Sequence, residues 1–177
     1  MEQPPPARPT LPVVKIFVDS DEYRCWHEVG HAGVCLHLGG EVEFMEFLLD
    51  DARGHARTRC VPTPGTDRSV ACGGFAAEYF LLSKQLAEKQ PNDKRDISQI
   101  VFHNASGDRE EFWGRKIDWS TNSFSKEEDE QFMQHAIHSV APIFELYFAS
   151  MQKLVRALLS KRRLEREHIL MIWLGSE

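Results

Sequence analysis

The stretch Cys25-Trp26-His27-Glu28-Val29-Gly30-His31-Ala32 constrains this chain most, because it sets two histidines and a glutamate inside an otherwise apolar run. On an α-helix, residues four apart lie about 400° around the axis, so His27 and His31 project from one face, one turn apart. Two neutral imidazoles so placed can hold one Zn²⁺, and Glu28 beside them can take a proton from water that the ion acidifies. Asp19-Ser20-Asp21-Glu22 offers a capping residue and first-turn acids, and Leu38-Gly39-Gly40 offers a stop. A helix is therefore expected over about residues 20 to 38. The run between those signals is apolar enough to be buried, and burying two histidines and a glutamate without partners is costly. The competing reading is a buried helix whose histidines are merely hydrogen-bonded.

The chain of 177 residues is long enough for one domain with a substantial core. Its net charge of −6, with one short basic cluster at Lys161-Arg162-Arg163, argues against a nucleic-acid surface. No apolar run approaches the roughly 20 residues needed to span a bilayer, and the first residues lack the apolar core of a signal peptide. Cys25, Cys35, Cys60 and Cys72 show no C-x-x-C spacing and suit a reducing cytoplasm as buried thiols. Cys35, four residues past His31, shares the metal face in principle and is expected as a core residue.

Residues 1 to about 10, with Pro4-Pro5-Pro6, read as a disordered leader before a single domain over residues 11 to 177. Leu11 to Val18 reads as a short strand or packing arm. Glu41 to Leu49 and His55 to Val61 alternate across the turn at Asp50 to Gly54, as in a β-hairpin. Arg68 to about Glu88 returns to a helical pattern. Its small residues Ala71, Gly73, Gly74, Ala76 and Ala77 would admit another helix at close range, which gives a reason for two glycines that otherwise weaken a helix. A further helix is expected from Asp93 to about His103, then an irregular segment with Phe112, Trp113 and Trp119. The capping pattern at Ser125-Lys126-Glu127-Glu128 opens a long helix to about Ser160, kinked at Pro142, and Leu164 to Leu174 closes the chain. The expected fold is mainly α with a small β-sheet.

A catalytic zinc needs a third protein ligand and an open position for water. The candidates are Glu78, Asp93, Asp96, His103 and the pair His135/His138, and spacing does not choose among them. His37, His55 and His168 are expected on the surface or in the core.

Four segments, in order, resemble the peptidase domain of the FtsH-type ATP-dependent zinc metalloproteases. His27-Glu28-Val29-Gly30-His31-Ala32 is similar to that family's H-E-A-G-H-A, and Gly73-Gly74-Phe75-Ala76-Ala77-Glu78 to its G-G-R-A-A-E. Arg95-Asp96-Ile97 stands where the family has N-D-[IL], and Ala157 to Leu164 resembles its A-L-L-x-x-x-x-L. The resemblance implies an FtsH peptidase-like helical domain with zinc held by His27, His31 and Asp96, Glu28 as base, and Glu78 behind the ligands. Arg95 replaces the family's usual asparagine, and Asn92-Asp93 just upstream leaves Asp93 as a rival ligand. No G-x-x-x-x-G-K-[ST] occurs, so the family's ATPase is not encoded in this chain.

The expected function is that of a cytoplasmic zinc metallopeptidase acting on a peptide or protein substrate, with an extended peptide adding to the sheet edge near residues 42 to 49. A separate ATPase or unfoldase is a candidate partner, and homo-oligomerisation stays open. The alternative is a zinc-binding, peptidase-like scaffold that engages a protein partner with little or no turnover. A helical protein without metal is the third reading.

Overall fold

The computed structural model of the protein describes residues 15–50, 53–117 and 124–176. The Pro-rich leader, turn residues 51 and 52, and Trp119 lie outside them. In chain order the elements are β1 (Ile16–Phe17), α1 (Asp21–His37), β2 (Glu41–Asp50), β3 (Arg53–Val61), α2 (Asp67–Ala71), α3 (Gly73–Ser83), β4 (Ala87–Glu88), α4 (Ile97–Asn104), α5 (Ser106–Trp113), α6 (Lys126–His135), α7 (Ala141–Lys161), β5 (Arg163–Glu165) and α8 (Arg166–Leu174). The architecture is mainly helical with a small sheet, as the periodicity implies.

Helix α1 begins at Ser20, whose hydroxyl accepts from the Tyr23 amide, and carries Asp21 and Glu22 in its first turn. Gly39, at φ +79°, takes the left-handed conformation just past its end, where a side chain would be strained. The helix packs against α3, α7 and β3. Trp26 is buried and stacks on Phe148 of α7 with ring centroids 5.2 Å apart.

The close approach of α1 and α3 follows from glycines on both helices. A Cβ on Gly73 would lie 2.6 Å from His31 Cα, and one on Gly30 would lie 2.8 Å from Ala77 Cβ and closer still to the Gly73 carbonyl oxygen. The predicted helix over residues 68 to 88 is in fact two helices, α2 and α3, that meet at Cys72.

Strands β2 and β3 form the expected antiparallel hairpin, with Glu41 opposite Val61 and Leu48 opposite His55. In β3, Ala56 is buried and Thr58 and Cys60 are half-buried, while His55, Arg57, Arg59 and Val61 are exposed. The small inward residues let α1 lie close against the strand. The sheet order is β3-β2-β5, because Arg163–Glu165 pairs with Phe44–Glu46. The expected docking edge at residues 42 to 49 is therefore corrected. Among the described residues, β2 is paired on both sides over Phe44–Glu46, and β3 has a free edge beside α1.

The predicted long C-terminal helix is interrupted. Pro142 has no N–H for the carbonyl four residues back, and the chain widens into a π turn over Ala136–Val140 before α7 resumes. Among the described residues, no helix is long and apolar enough to cross a membrane.

Candidate metal centre

Helix α1 presents His27 and His31 on one face, and each ring is anchored through Nδ1. His27 Nδ1 lies 2.8 Å from Glu78 Oε1, and His31 Nδ1 lies 2.8 Å from the Val70 carbonyl oxygen. The acceptor opposite His31 can only receive, so its Nδ1 carries the proton. Both Nε2 atoms then face the remaining corner of the cluster. That corner is Asp108, whose Oδ1 lies 3.3 Å from His27 Nε2 and 3.4 Å from His31 Nε2. Its other oxygen accepts the Phe75 amide at 3.0 Å, which fixes the carboxylate.

One ligand atom from each of His27, His31 and Asp108 falls within 4.8 Å of the other two. Two imidazole nitrogens and one carboxylate oxygen form a donor set that suits Zn²⁺. The spent Nδ1 atoms and the fixed Asp108 oxygen supply the outer hydrogen bonds that such ligands need. The residues present therefore fit a divalent ion.

Glycine brings α3 against this site. A Cβ on Gly74 would lie 2.5 Å from His27 Cδ2, and nearer to Cε1 and Nε2. The ring occupies the volume that a side chain there would fill.

The third ligand expected from the sequence is placed elsewhere. Asp96 is exposed and caps α4, accepting from the Gln99 amide and from Ser98 Oγ, each at 2.7 Å, while the Gln99 side chain closes a capping box. Asp93 is clasped by Arg95, whose guanidinium holds its pKa down at about 2. His135 pairs with Ser69 Oγ at 2.9 Å, and His138 is exposed, so that pair forms no joint site. His37, His55, His103 and His168 are exposed. Glu78 is buried behind His27, where the resemblance placed it.

Asp108 was hidden in a segment that reads as irregular. Gly107 and Gly114 punctuate it, and α5 is only eight residues long. Two signals pointed the other way. Asp96-Ile97-Ser98-Gln99 has the spacing of a capping box, which spends Asp96 on backbone. Asp108, in turn, precedes an aromatic pair, Phe112 and Trp113, at the distance that gives a short helix one buried face.

The charged groups of the centre act on one another across short distances. Burial lowers the His27 pKa, but the Asp108 and Glu78 carboxylates outweigh it and carry the value well above normal. His31 follows the same pattern, with Asp108 lifting it to about 9 against burial. Burial raises Asp108, yet the two imidazoles hold it far below the usual carboxylate range. Glu28 is raised above its ordinary value by burial, against the lowering effect of His31 and His27.

Glu28 stands between two cavities. One, of about 280 Å³, is lined by Tyr23, His27, Glu78 and Asn104, and the other, of about 710 Å³, by His31, Thr58, Cys60 and Val70. Residues of β3 wall both, so the free strand edge runs past the centre. Thr58 Oγ1 donates to the Glu28 carbonyl at 3.2 Å, tying the strand to the helix beside the site.

Compared with known proteins, the chain matches no protein-family model and no curated protein sequence.

Proposed function

We propose that the protein is a zinc-dependent peptidase whose ligands are His27, His31 and Asp108 and whose general base is Glu28. The observation carrying this reading is the convergence of both Nε2 atoms with Asp108 Oδ1, beside a glutamate that faces two cavities. Zn²⁺ bound there supplies Lewis acidity, polarising a carbonyl and acidifying water. Glu28 takes the proton from the attacking water and passes it to the leaving amine, a role favoured by a carboxyl whose pKa is raised by burial. His27 and His31 are held by Nδ1 so that their rings do not turn during the reaction. An extended peptide pairs with the free edge of β3, which lays its backbone past Glu28.

The resemblance to the FtsH-type peptidase domain supports the same ligand chemistry, with the aspartate taken from α5 rather than from the start of α4. On this reading the substrates are short peptides, loose segments or one dedicated protein, or chains that a separate unfoldase delivers. A cytoplasmic location is supported by Cys25, Cys35, Cys60 and Cys72, which are free thiols suited to a reducing compartment.

The test is zinc content and peptide cleavage for protein purified without chelator or affinity metal, compared with Glu28→Gln. One zinc per chain in both, with cleavage reduced by about 10²–10⁴-fold only in the variant, is expected. Zinc in both without turnover in either would replace the enzyme by a zinc-binding scaffold for a protein partner. Wild-type protein without zinc would remove the metal reading.

A further inference from the structure

The zinc reading accounts for what His27 and His31 point towards, but not for the network buried behind His27. Glu78, only 1% exposed, meets three side chains, two from α1 and one from α4. Tyr23 Oη donates to Oε2 at 2.8 Å, and Asn104 Nδ2 donates to Oε1 at 3.2 Å and to Oε2 at 3.1 Å. His27 Nδ1 takes the remaining approach to Oε1 at 2.8 Å. With hydroxyl and amide both donating, Glu78 acts as acceptor throughout, and the proton of the His27 contact sits on Nδ1. His31 has no such backing, since its Nδ1 meets a single neutral carbonyl at Val70.

We propose that Tyr23 and Asn104 are positioning residues. Acting through Glu78, they hold the His27 ring with Nδ1 protonated and Nε2 aimed at Asp108. Their places in the chain suit this task. Tyr23 lies one turn before His27 on α1, and Asn104 ends α4, four residues before Asp108. The Asn104 amide thus ties the junction that delivers one ligand to the carboxylate that orients another. If either donor is lost, a buried carboxylate oxygen loses a partner, and Glu78 is freed to rotate away from the imidazole. The proposal rests on the zinc reading for its purpose, while the geometry it invokes exists without an ion.

The experiment follows the two imidazole Nδ1 protons by NMR in metal-free wild type, Tyr23→Phe and Asn104→Ala, and then zinc release to a chelator in the same three proteins. The His31 proton, bonded to Val70, is the internal control. In both variants the His27 proton should exchange at least about tenfold faster while the His31 proton is unchanged, and zinc should leave about 10–100-fold faster. Equal acceleration of both protons would show a merely structural role and overturn the proposal, as would unchanged His27 exchange. A wild type that takes up no zinc removes the peptidase reading alone, because the proton measurement needs no metal.

Discussion

Substituting Gly74 tests the site through the close approach of α3 to the His27 ring. An alanine Cβ there falls 2.5 Å from His27 Cδ2, closer still to the other ring atoms, and ordinary van der Waals contact begins at 3.4 Å. The ring must therefore retreat by at least about 0.9 Å, whereas ligand distances tolerate only about 0.2 Å. It cannot tilt freely, because Nδ1 is bonded to Glu78 and the side chain is 13% exposed. Zinc affinity in Gly74→Ala should fall by more than the roughly 10–100-fold that losing an outer partner of a ligand costs. The fold should survive, since such overpacking costs about 1–3 kcal/mol, or roughly 2–12 °C in Tm for a chain of this size. Zinc affinity by chelator competition, read beside thermal unfolding, separates the two effects. A variant that binds zinc as tightly as wild type would show that His27 is not a ligand in the orientation described.

Three further outcomes follow from the same geometry. Asp108→Asn should abolish zinc binding while Asp96→Ala and Asp93→Ala keep it, as elemental analysis will show; zinc lost only from Asp96→Ala would restore the ligand set implied by the resemblance. Gly30→Ala should cost at least about 3 kcal/mol in denaturant unfolding, because its Cβ meets α3 backbone, whereas Gly33→Ala meets only the flexible end of Met151 and should cost less; equal costs would contradict the packing described. The third outcome concerns pH. The folded His31 pKa, about 9, lies above the unfolded value of about 6.5, so its contribution is complete below about pH 6.5 and is lost as pH rises through about 9. Chelated protein should lose Tm over that interval while the increment from added zinc grows, since zinc takes the unprotonated imidazole; a rising Tm in chelated protein would refute the assignment.

The sequence was informative where one element carried its own signal. H-E-x-x-H on α1, the hairpin of β2 and β3, and the glycine pair of α3 each follow from local spacing, and each is where the pattern placed it. It was misleading where a residue's role depends on a partner far along the chain. Asp108 becomes a site residue only because α5 packs on α2 and α3, and nothing in Ser106-Gly107-Asp108 announces that. Asp96 has the same chemistry, but its Oδ1 accepts from both Ser98 Oγ and the Gln99 amide in a helix cap. The free edge was misplaced for the same reason. Three residues after α7, Arg163–Glu165, close one side of β2, and a strand so short has no period to read.

The depth of the cluster bears on why the chain keeps it. Asp108 is 5% exposed, and its carboxylate faces two imidazoles that are themselves largely covered. Such a charge must be balanced inside the protein, and either protons on the rings or a divalent ion at the same corner can balance it. Protons make it a buried ion group, and buried ion groups are poor sources of stability: apolar residues of similar volume often serve the fold equally well or better. Stability therefore gives no reason to place an aspartate, two histidines and a glutamate on the walls of adjoining cavities. On the proposed reading, capture of a cation does, with both Nδ1 atoms occupied by Glu78 and Val70 and both Nε2 atoms facing Asp108 Oδ1.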